Sequence, residues 1–379
     1  MADTFIAPGQ IISGNRALDM AAGTVAKLGK KALVVTDDVM RQLGNLDKVT
    51  DMLMKAGVSY AVFTGVSGEP DDRMIQAGVA VYREENCDFL VGLGGGSPID
   101  SMKAIAMIAA WGGRPADYMG RTVCEKPAPM AAIPTTAGTG SEATQFTIIT
   151  DTATQVKMLL KGPGLMPDLA VIDPQFTMTA PPGITAATGV DALTHAIEGY
   201  ITPGAWSLSD CLSMQTIRMI AKNLAKSADG DVPAGEQMAY ASYITGMAYS
   251  NVGLGLVHGM AHPLGGRLGV AHGVANGILL APVMEYNKDF TGEKYRDIAD
   301  AFGIEDAYTG DLEKVREEAV QAVHQLTVDL KNPTTISEVG ATEADLAPLA
   351  HDAFNDVCTP GNPRKATEED ILKIYTSLM

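Results

Sequence analysis

The stretch Asp88-Phe-Leu-Val-Gly-Leu-Gly-Gly-Gly-Ser-Pro-Ile-Asp100 runs from an apolar strand through three consecutive glycines into a helix start. Residues 89–93 are apolar at nearly every position, the pattern of a parallel strand covered on both faces. Ser97 is a good N-cap and Pro98 suits the first helical position, which predicts a helix over 98–110. With no Cβ at Gly94, Gly95 or Gly96, backbone N–H groups can approach an anion closely. The helix N-terminus then offers unpaired donors and a positive dipole end to a pyrophosphate. The spacing is not the GxGxxG of the usual dinucleotide fingerprint, and a tight strand–helix turn is the plainer alternative.

The same alternation continues on either side. Residues 31–37 and 60–64 read as strands, and helical patterns cover about 45–56 and 71–86. Residues 130–134, 146–150 and 169–173 read as further strands. Strands alternating with helices at this spacing imply βαβ units and a parallel sheet. Pro174, Pro181, Pro182 and Gly183 punctuate a boundary, after which helical periodicity runs to the C-terminus. The expectation is an α/β domain over 1–180 and an all-helical domain over 181–379.

At 379 residues the chain is long enough for two domains. Lys+Arg total 28 against 45 Asp+Glu, a net charge of −17 that repels phosphate backbones and anionic lipid. Nucleic acid and membrane surfaces are therefore excluded as partners. The first ten residues have neither a basic segment nor an apolar core, so no signal peptide is expected, and no apolar run is long enough for a membrane span. Cys87, Cys124, Cys211 and Cys358 form no CxxC pair and no disulfide framework, which points to a reducing cytoplasm.

Two neighbours strengthen the phosphate reading of the glycine turn. Asp37 ends a strand, where an acid can hydrogen-bond the ribose hydroxyls of an adenine dinucleotide and disfavour the extra phosphate of NADP. A helix cap is its plainer role. The loop Pro134-Thr-Thr-Ala-Gly-Thr-Gly-Ser-Glu142 follows another strand, and Thr135, Thr136, Thr139 and Ser141 suit the lining of a diphosphate or ribose.

The strongest signal is histidine clustering. Of the six histidines, His258, His262 and His272 fall within 15 residues. His258 and His262 stand at i,i+4 on one helix face, although Gly259 occupies the position where HExxH proteases carry Glu. Asp191 and His195 form a second i,i+4 pair, with Glu198 on the same face as a candidate for orienting an imidazole. His324 and His351 read as surface residues. One carboxylate with two or three histidines suits Fe(II) or Zn(II) better than Mg(II) or Ca(II). Spacing alone leaves open which of the three clustered histidines are ligands.

Together these residues resemble the iron-containing (group III metal-dependent) alcohol dehydrogenases, the group that includes lactaldehyde reductase, 1,3-propanediol dehydrogenase and butanol dehydrogenases. The resemblance spans essentially the whole chain. It is carried by residues 94–100 (GGGSPID), 134–142 (PTTAGTGSE), 189–199 (GVDALTHAIEG), 251–262 (NVGLGLVHGMAH), 272–276 (HGVAN) and Asn362-Pro-Arg364. It implies a dehydroquinate synthase-like fold, an α/β dinucleotide-binding domain with a parallel sheet plus an all-helical domain, with NAD(H) and a metal between them. By motif position the ligands would be Asp191, His195, His258 and His272, holding Fe(II) or alternatively Zn(II), with His262 a proton-relay group beside them. Asp37, Gly95, Gly96, Ser97, Asp100, Thr135, Thr136, Lys157 and Met178 match nucleotide-contacting positions. The implied activity is hydride transfer between nicotinamide and a small primary alcohol or aldehyde by a homodimer or larger homo-oligomer.

The chain departs from the family pattern at Gly68-Glu-Pro-Asp71, where Glu69 replaces an Asn near the adenosine, and at Phe146, where lactaldehyde reductase carries a pocket Asn. Tyr249 and Cys358 fall at other pocket positions. Arg267, in the loop between the last two clustered histidines, would favour an anionic aldehyde such as sulfoacetaldehyde if it faced the substrate. The alternative class is a metal-dependent lyase of the dehydroquinate synthase and glycerol dehydrogenase superfamily, disfavoured because its acidic substrate needs several cations near the metal. A non-haem iron oxygenase would have no use for the glycine loop.

Overall fold

In strand β2 (Lys31–Val35) alternate residues bury on opposite faces: Leu33 and Val35 pack with Ile99, Met102 and Ile105, and Ala32 and Val34 with Leu46, Val49 and Leu53. A strand covered on both faces belongs inside a parallel sheet with helices on each side. The computed structural model describes residues 3–154 and 156–379, and the chain divides after Ala180 into two compact units.

In the first unit, β1 (Gln10–Ser13), β2, β3 (Ser59–Phe63), β4 (Phe89–Gly94), β5 (Met130–Pro134) and β8 (Leu169–Ile172) form one six-stranded sheet, with every pairing parallel. Two strands in between, β6 (Phe146–Thr150) and β7 (Lys157–Lys161), pair antiparallel as a separate ribbon. The strand read over 146–150 is present, and it lies in this ribbon and not in the main sheet. Only Thr147 and Ile149 of β6 are buried, the one-sided pattern of an antiparallel ribbon. β1 escapes notice in the sequence because Ile12 is its only buried residue.

The helices of this unit are α1 (Ala17–Val25), α2 (Asp38–Gln42), α3 (Asn45–Lys55), α4 (Asp72–Glu84), α5 (Gly96–Trp111) and α6 (Pro174–Thr177). The strand order β1-β8-β5-β4-β2-β3 reverses between β2 and β4. In open α/β sheets ligands bind beyond the carboxyl ends of the strands at such a switch point. The glycine turn and Asp37 follow those two strands. α5 begins two residues before the expected start, with Gly95 as its N-cap. Pro98 therefore sits in the first turn rather than at its first position, where its missing N–H still has no intrahelical partner to lose.

The second unit is helical throughout its regular structure: α7 (Pro182–Ile201), α8 (Ser207–Ala228), α9 (Val232–Val252), α10 (Leu256–Leu268), α11 (His272–Asn287), α12 (Lys294–Ala301), α13 (Leu312–Asp329), α14 (Glu343–Phe354) and α15 (Glu368–Ser377), with short 3-10 turns between some of them. Gly259 lets α10 approach the segment after α14, since a Cβ there would collide with the Thr359 hydroxyl. Packing thus requires glycine where zinc proteases place glutamate. Among the described residues no helix is long and apolar enough to cross a membrane, and all four cysteines are free.

Candidate functional site

In the first unit the turn after β4 depends on Gly94, whose φ of 152° leaves its Cβ position filled by the Pro98 ring. Beyond it lies a cavity of about 400 Å³ lined by Asp37, Asp38, Thr64, Ser67, Gly68, Gly95, Gly96 and Ser97, among others. A cleft of this size at a helix N-terminus suits an anionic ligand. Asp37 caps α2, its Oδ1 accepting from Met40 N at 2.9 Å, so the helix-cap reading of this acid holds, and it also lines the cavity. Thr136 and Thr139 pack against Gly95 and Gly96, and Thr135 N donates to Gly94 O at 2.9 Å, which joins the hydroxyl-rich loop to the turn.

Other expected nucleotide positions lie outside that cavity's lining. Asp100 is buried and its Oδ2 accepts from Ile148 N at 2.9 Å, which ties α5 to β6. Burial raises its pKa, partly offset by Lys103. Ser141 is buried, and its N–H donates to Thr139 Oγ1 at 3.2 Å. Lys157 pairs with Glu69 at 2.6 Å, so the acid that departs from the family pattern is matched by an expected nucleotide-contacting lysine. Met178 is exposed at the C-cap of α6.

Lys103 has no counterpart in the sequence-based site. It is fully buried, and its Nζ donates to the carbonyls of Ser141, Thr144 and Phe146 at 2.7, 2.9 and 2.8 Å and to Thr144 Oγ1 at 3.0 Å. It anchors the far end of the hydroxyl-rich loop to α5. Phe146, the expected pocket residue, contributes a carbonyl to this clamp.

In the second unit Asp191 and His195 from α7, His258 from α10 and His272 from α11 bring one ligand atom each within 4.8 Å of one another. Asp191 Oδ1 lies 3.6 Å from His272 Nε2, 3.8 Å from His195 Nδ1 and 4.0 Å from His258 Nε2. Ligands about 2.0–2.2 Å from a tetrahedral ion stand roughly 3.3–3.6 Å apart, so this set fits a transition-metal dication after small adjustments. Asn276, which sequence reasoning passed over, marks the same point. Its Nδ2 is 2.7 Å from Asp191 Oδ1, 3.3 Å from His258 Nε2 and 3.4 Å from His272 Nε2, while its Oδ1 is buried without a hydrogen-bond partner. One amide cannot satisfy three convergent acceptors, and a cation can. The sequence signal was present: Asn276 is i+4 from His272 within the HGVAN motif.

Burial acts in opposite senses on these groups, favouring the metal-binding form of His258 and opposing it in Asp191. Burial pushes His258 well below the ordinary imidazole range, with neighbouring His195, His272 and His262 adding to it, so its lone pair is available. Burial raises Asp191, opposed by His272 and by the Asn276 amide. Glu198 accepts from Val257 N at 2.7 Å and His258 Nδ1 at 2.6 Å, the orienting role its place on α7 suggested. Burial raises it to about 7, against its backbone donors. Tyr249 stacks on His195 with centroids 4.3 Å apart.

His262 is outside the four-residue cluster but stacks on His272, centroids 5.6 Å apart, and its Nδ1 donates to Asp356 Oδ2 at 2.8 Å. No sequence spacing announces Asp356, 94 residues away. Arg267 donates through Nε to Asp352 Oδ2 at 2.6 Å, which answers its charge within the protein. His351 is exposed and 3.5 Å from Glu368, and neither it nor His324 joins the cluster.

A parallel sheet with a glycine turn at its switch point and a helical unit with a three-histidine, one-carboxylate cluster define the class as a candidate metal-dependent enzyme, and its relatives settle which chemistry it belongs to. The chain belongs to the iron-containing alcohol dehydrogenase family, whose N-terminal description (Iron-containing alcohol dehydrogenase) matches residues 8–174 and whose C-terminal one (Fe-containing alcohol dehydrogenase family, C-terminal) matches residues 185–379. It is 46% identical to lactaldehyde reductase of Escherichia coli (strain K12) over 91% of both chains. A solved 1,3-propanediol oxidoreductase superposes with a TM-score of 0.96 at 38% identity, covering 100% of each chain. Sulfoacetaldehyde reductase from Bifidobacterium kashiwanohense, solved with NAD+, gives 0.88 at 29% identity over 100% of this chain and 99% of its own. The chain is an alcohol/aldehyde oxidoreductase of this family, and the lyase alternative finds no support among these relatives.

Proposed function

We propose that this enzyme is an NAD(H)-dependent reductase and dehydrogenase for small primary alcohols and aldehydes, with Fe(II) as its metal and Zn(II) as the alternative. The observation that carries the reading is the convergence of Asp191, His258 and His272 on Asn276, a buried amide that cannot satisfy all of them. When bound, the metal supplies Lewis-acid polarisation of the substrate oxygen and the nicotinamide supplies or accepts the hydride.

The chain's own residues do the rest. Asp191, His195, His258 and His272 hold the metal, and Glu198 fixes His258 by its Nδ1. Gly95, Gly96 and Ser97 present backbone N–H groups to the diphosphate, with Thr135, Thr136, Thr139 and Ser141 beside them and Lys157 and Met178 further out. Asp37 takes the ribose hydroxyls and repels a 2′-phosphate, while Asp100 holds the loop. His262, held at Nδ1 by Asp356, exchanges the alcohol proton at Nε2. A neutral aldehyde is the primary substrate class. An anionic one such as sulfoacetaldehyde is the second reading, supported by the solved relative, with Arg267 already committed to Asp352. The charge balance and free cysteines favour a cytoplasmic enzyme that binds neither nucleic acid nor membrane, and the family resemblance favours a homodimer or larger homo-oligomer.

The test is anaerobic NADH oxidation against a panel of short aldehydes, using chelator-stripped protein and the same protein refilled with Fe(II) or Zn(II). Metal-restored turnover with NADH is expected. Absence of NADH binding would overturn the assignment of the glycine turn.

A further inference from the structure

His262, Asp356 and Cys358 bring a nitrogen, an oxygen and a sulfur ligand atom within 4.8 Å of one another, and none of them belongs to the four-residue cluster. His262 comes from α10, and the other two from the segment after α14. Asp356 is held in place, since its Oδ1 accepts from Cys358 N at 2.8 Å while Oδ2 faces His262 Nδ1 at 2.8 Å. The His262 and Asp356 side chains are only 14% and 15% exposed, so ions entering here shed most of their bulk solvent.

We propose that these three side chains form a second cation site, specific for a borderline or soft dication such as Zn(II) or Co(II), whose occupation inhibits the enzyme. The inhibitory part rests on the reading of His262 as the proton-exchanging group. Imidazole, carboxylate and thiolate together discriminate against Mg(II) and Ca(II), which prefer oxygen ligands alone. Three protein ligands leave a fourth position to water, as in open zinc sites.

Binding at His262 Nδ1 displaces its hydrogen bond to Asp356 and moves the ring proton to Nε2. The Cys358 thiol proton is released to solvent, and nothing is oxidised or reduced. Burial holds that thiol well above its usual range, and a coordinating dication overcomes this by deprotonating it directly. With Nε2 protonated and Nδ1 bound, His262 can no longer accept a proton. Its stacking on His272 places the second cation beside the first cluster.

The first cluster contains no sulfur, so a thiolate-to-cobalt charge-transfer band that Cys358→Ser abolishes reports the second site, and not the first cluster or the exposed Cys124 and Cys211. Protein carrying one zinc per chain, titrated with Co(II), is expected to take up a second cation. The near-ultraviolet band and the loss of aldehyde-reducing rate should grow together. Cys358→Ser should abolish the band, and both Cys358→Ser and Asp356→Asn should weaken second-cation uptake by at least about 10-fold. Retention of the first cation in each variant, counted by equilibrium dialysis, shows that the fold is intact. A count that stays at one per chain under excess Co(II) overturns the proposal, as does second uptake that is equal in the wild type and Cys358→Ser. Uptake is measured without turnover, so failure of NADH-linked activity would refute the dehydrogenase reading and leave the site standing.

Discussion

Asn276 illustrates how one uncharged side chain can set the properties of a charged site. Its amide donates to Asp191 Oδ1 at 2.7 Å, which fixes the only carboxylate in the cluster and leaves that residue's remaining lone pairs for a metal. Groups that orient metal ligands typically change metal affinity by about 10- to 100-fold when removed. Asn276→Ala is therefore expected to lower Zn(II) affinity by about that factor with the fold intact, measured by competition with a chromophoric chelator. Unchanged affinity would show that Asp191 is positioned by the helix alone. Asn276→Asp should act in the opposite direction, since a second carboxylate among neutral imidazoles attracts a dication more strongly.

The loop that follows β5 is governed by the buried group where it meets α5. Lys103 supplies the cation, while Glu142 is buried with neither carboxylate oxygen hydrogen-bonded and burial raises it to about 7 from 4.5. Between those values the folded state keeps a proton that the unfolded chain has lost, so this group makes stability fall as pH rises from about 4.5 to about 7. Burial lowers Lys103 from 10.5 to about 8, so between those values the unfolded chain binds the extra proton and stability rises with pH. Glu142→Gln should remove the first slope. Its denaturation midpoint should match the wild type near pH 4.5 and exceed it by pH 8, and a pH-independent difference would sink the argument. The strand–turn–helix unit itself was legible because continuous apolar runs bounded by glycine leave few alternatives. The short edge strand β1 and the Lys103 clamp were not legible, since one has a single buried residue and the other works through backbone carbonyls that any sequence possesses. The metal-site candidates were legible only in part: i,i+4 spacing pairs Asp191 with His195, but it also pairs His258 with His262, which stands outside the cluster, and it gives His272 no ligand partner, whereas Asp356 meets His262 only through tertiary folding.

For the molecule as a whole, the charge balance acts against the dinucleotide proposed as its cofactor. The net charge of −17 creates a repulsive mean field for any dinucleotide, and Asp37 and Asp38 line the cavity assigned to it. On the proposed reading, attraction there comes from short-range donors, the backbone N–H groups at the start of α5, which salt screens little compared with charges spread over the surface. The Debye length falls from about 30 Å at 0.01 M to about 10 Å at 0.1 M salt, so added salt removes the long-range repulsion first. The KM for NADH is therefore expected to fall as ionic strength rises over that range. The KM for NADPH should fall more steeply, because its additional phosphate carries more charge into the same field. Initial rates at fixed aldehyde, with a neutral osmolyte as control for solvent effects, measure both slopes. A KM for NADH that rises with salt would mean that cations at the site, with Lys157 the first to replace, outweigh the field of the whole protein.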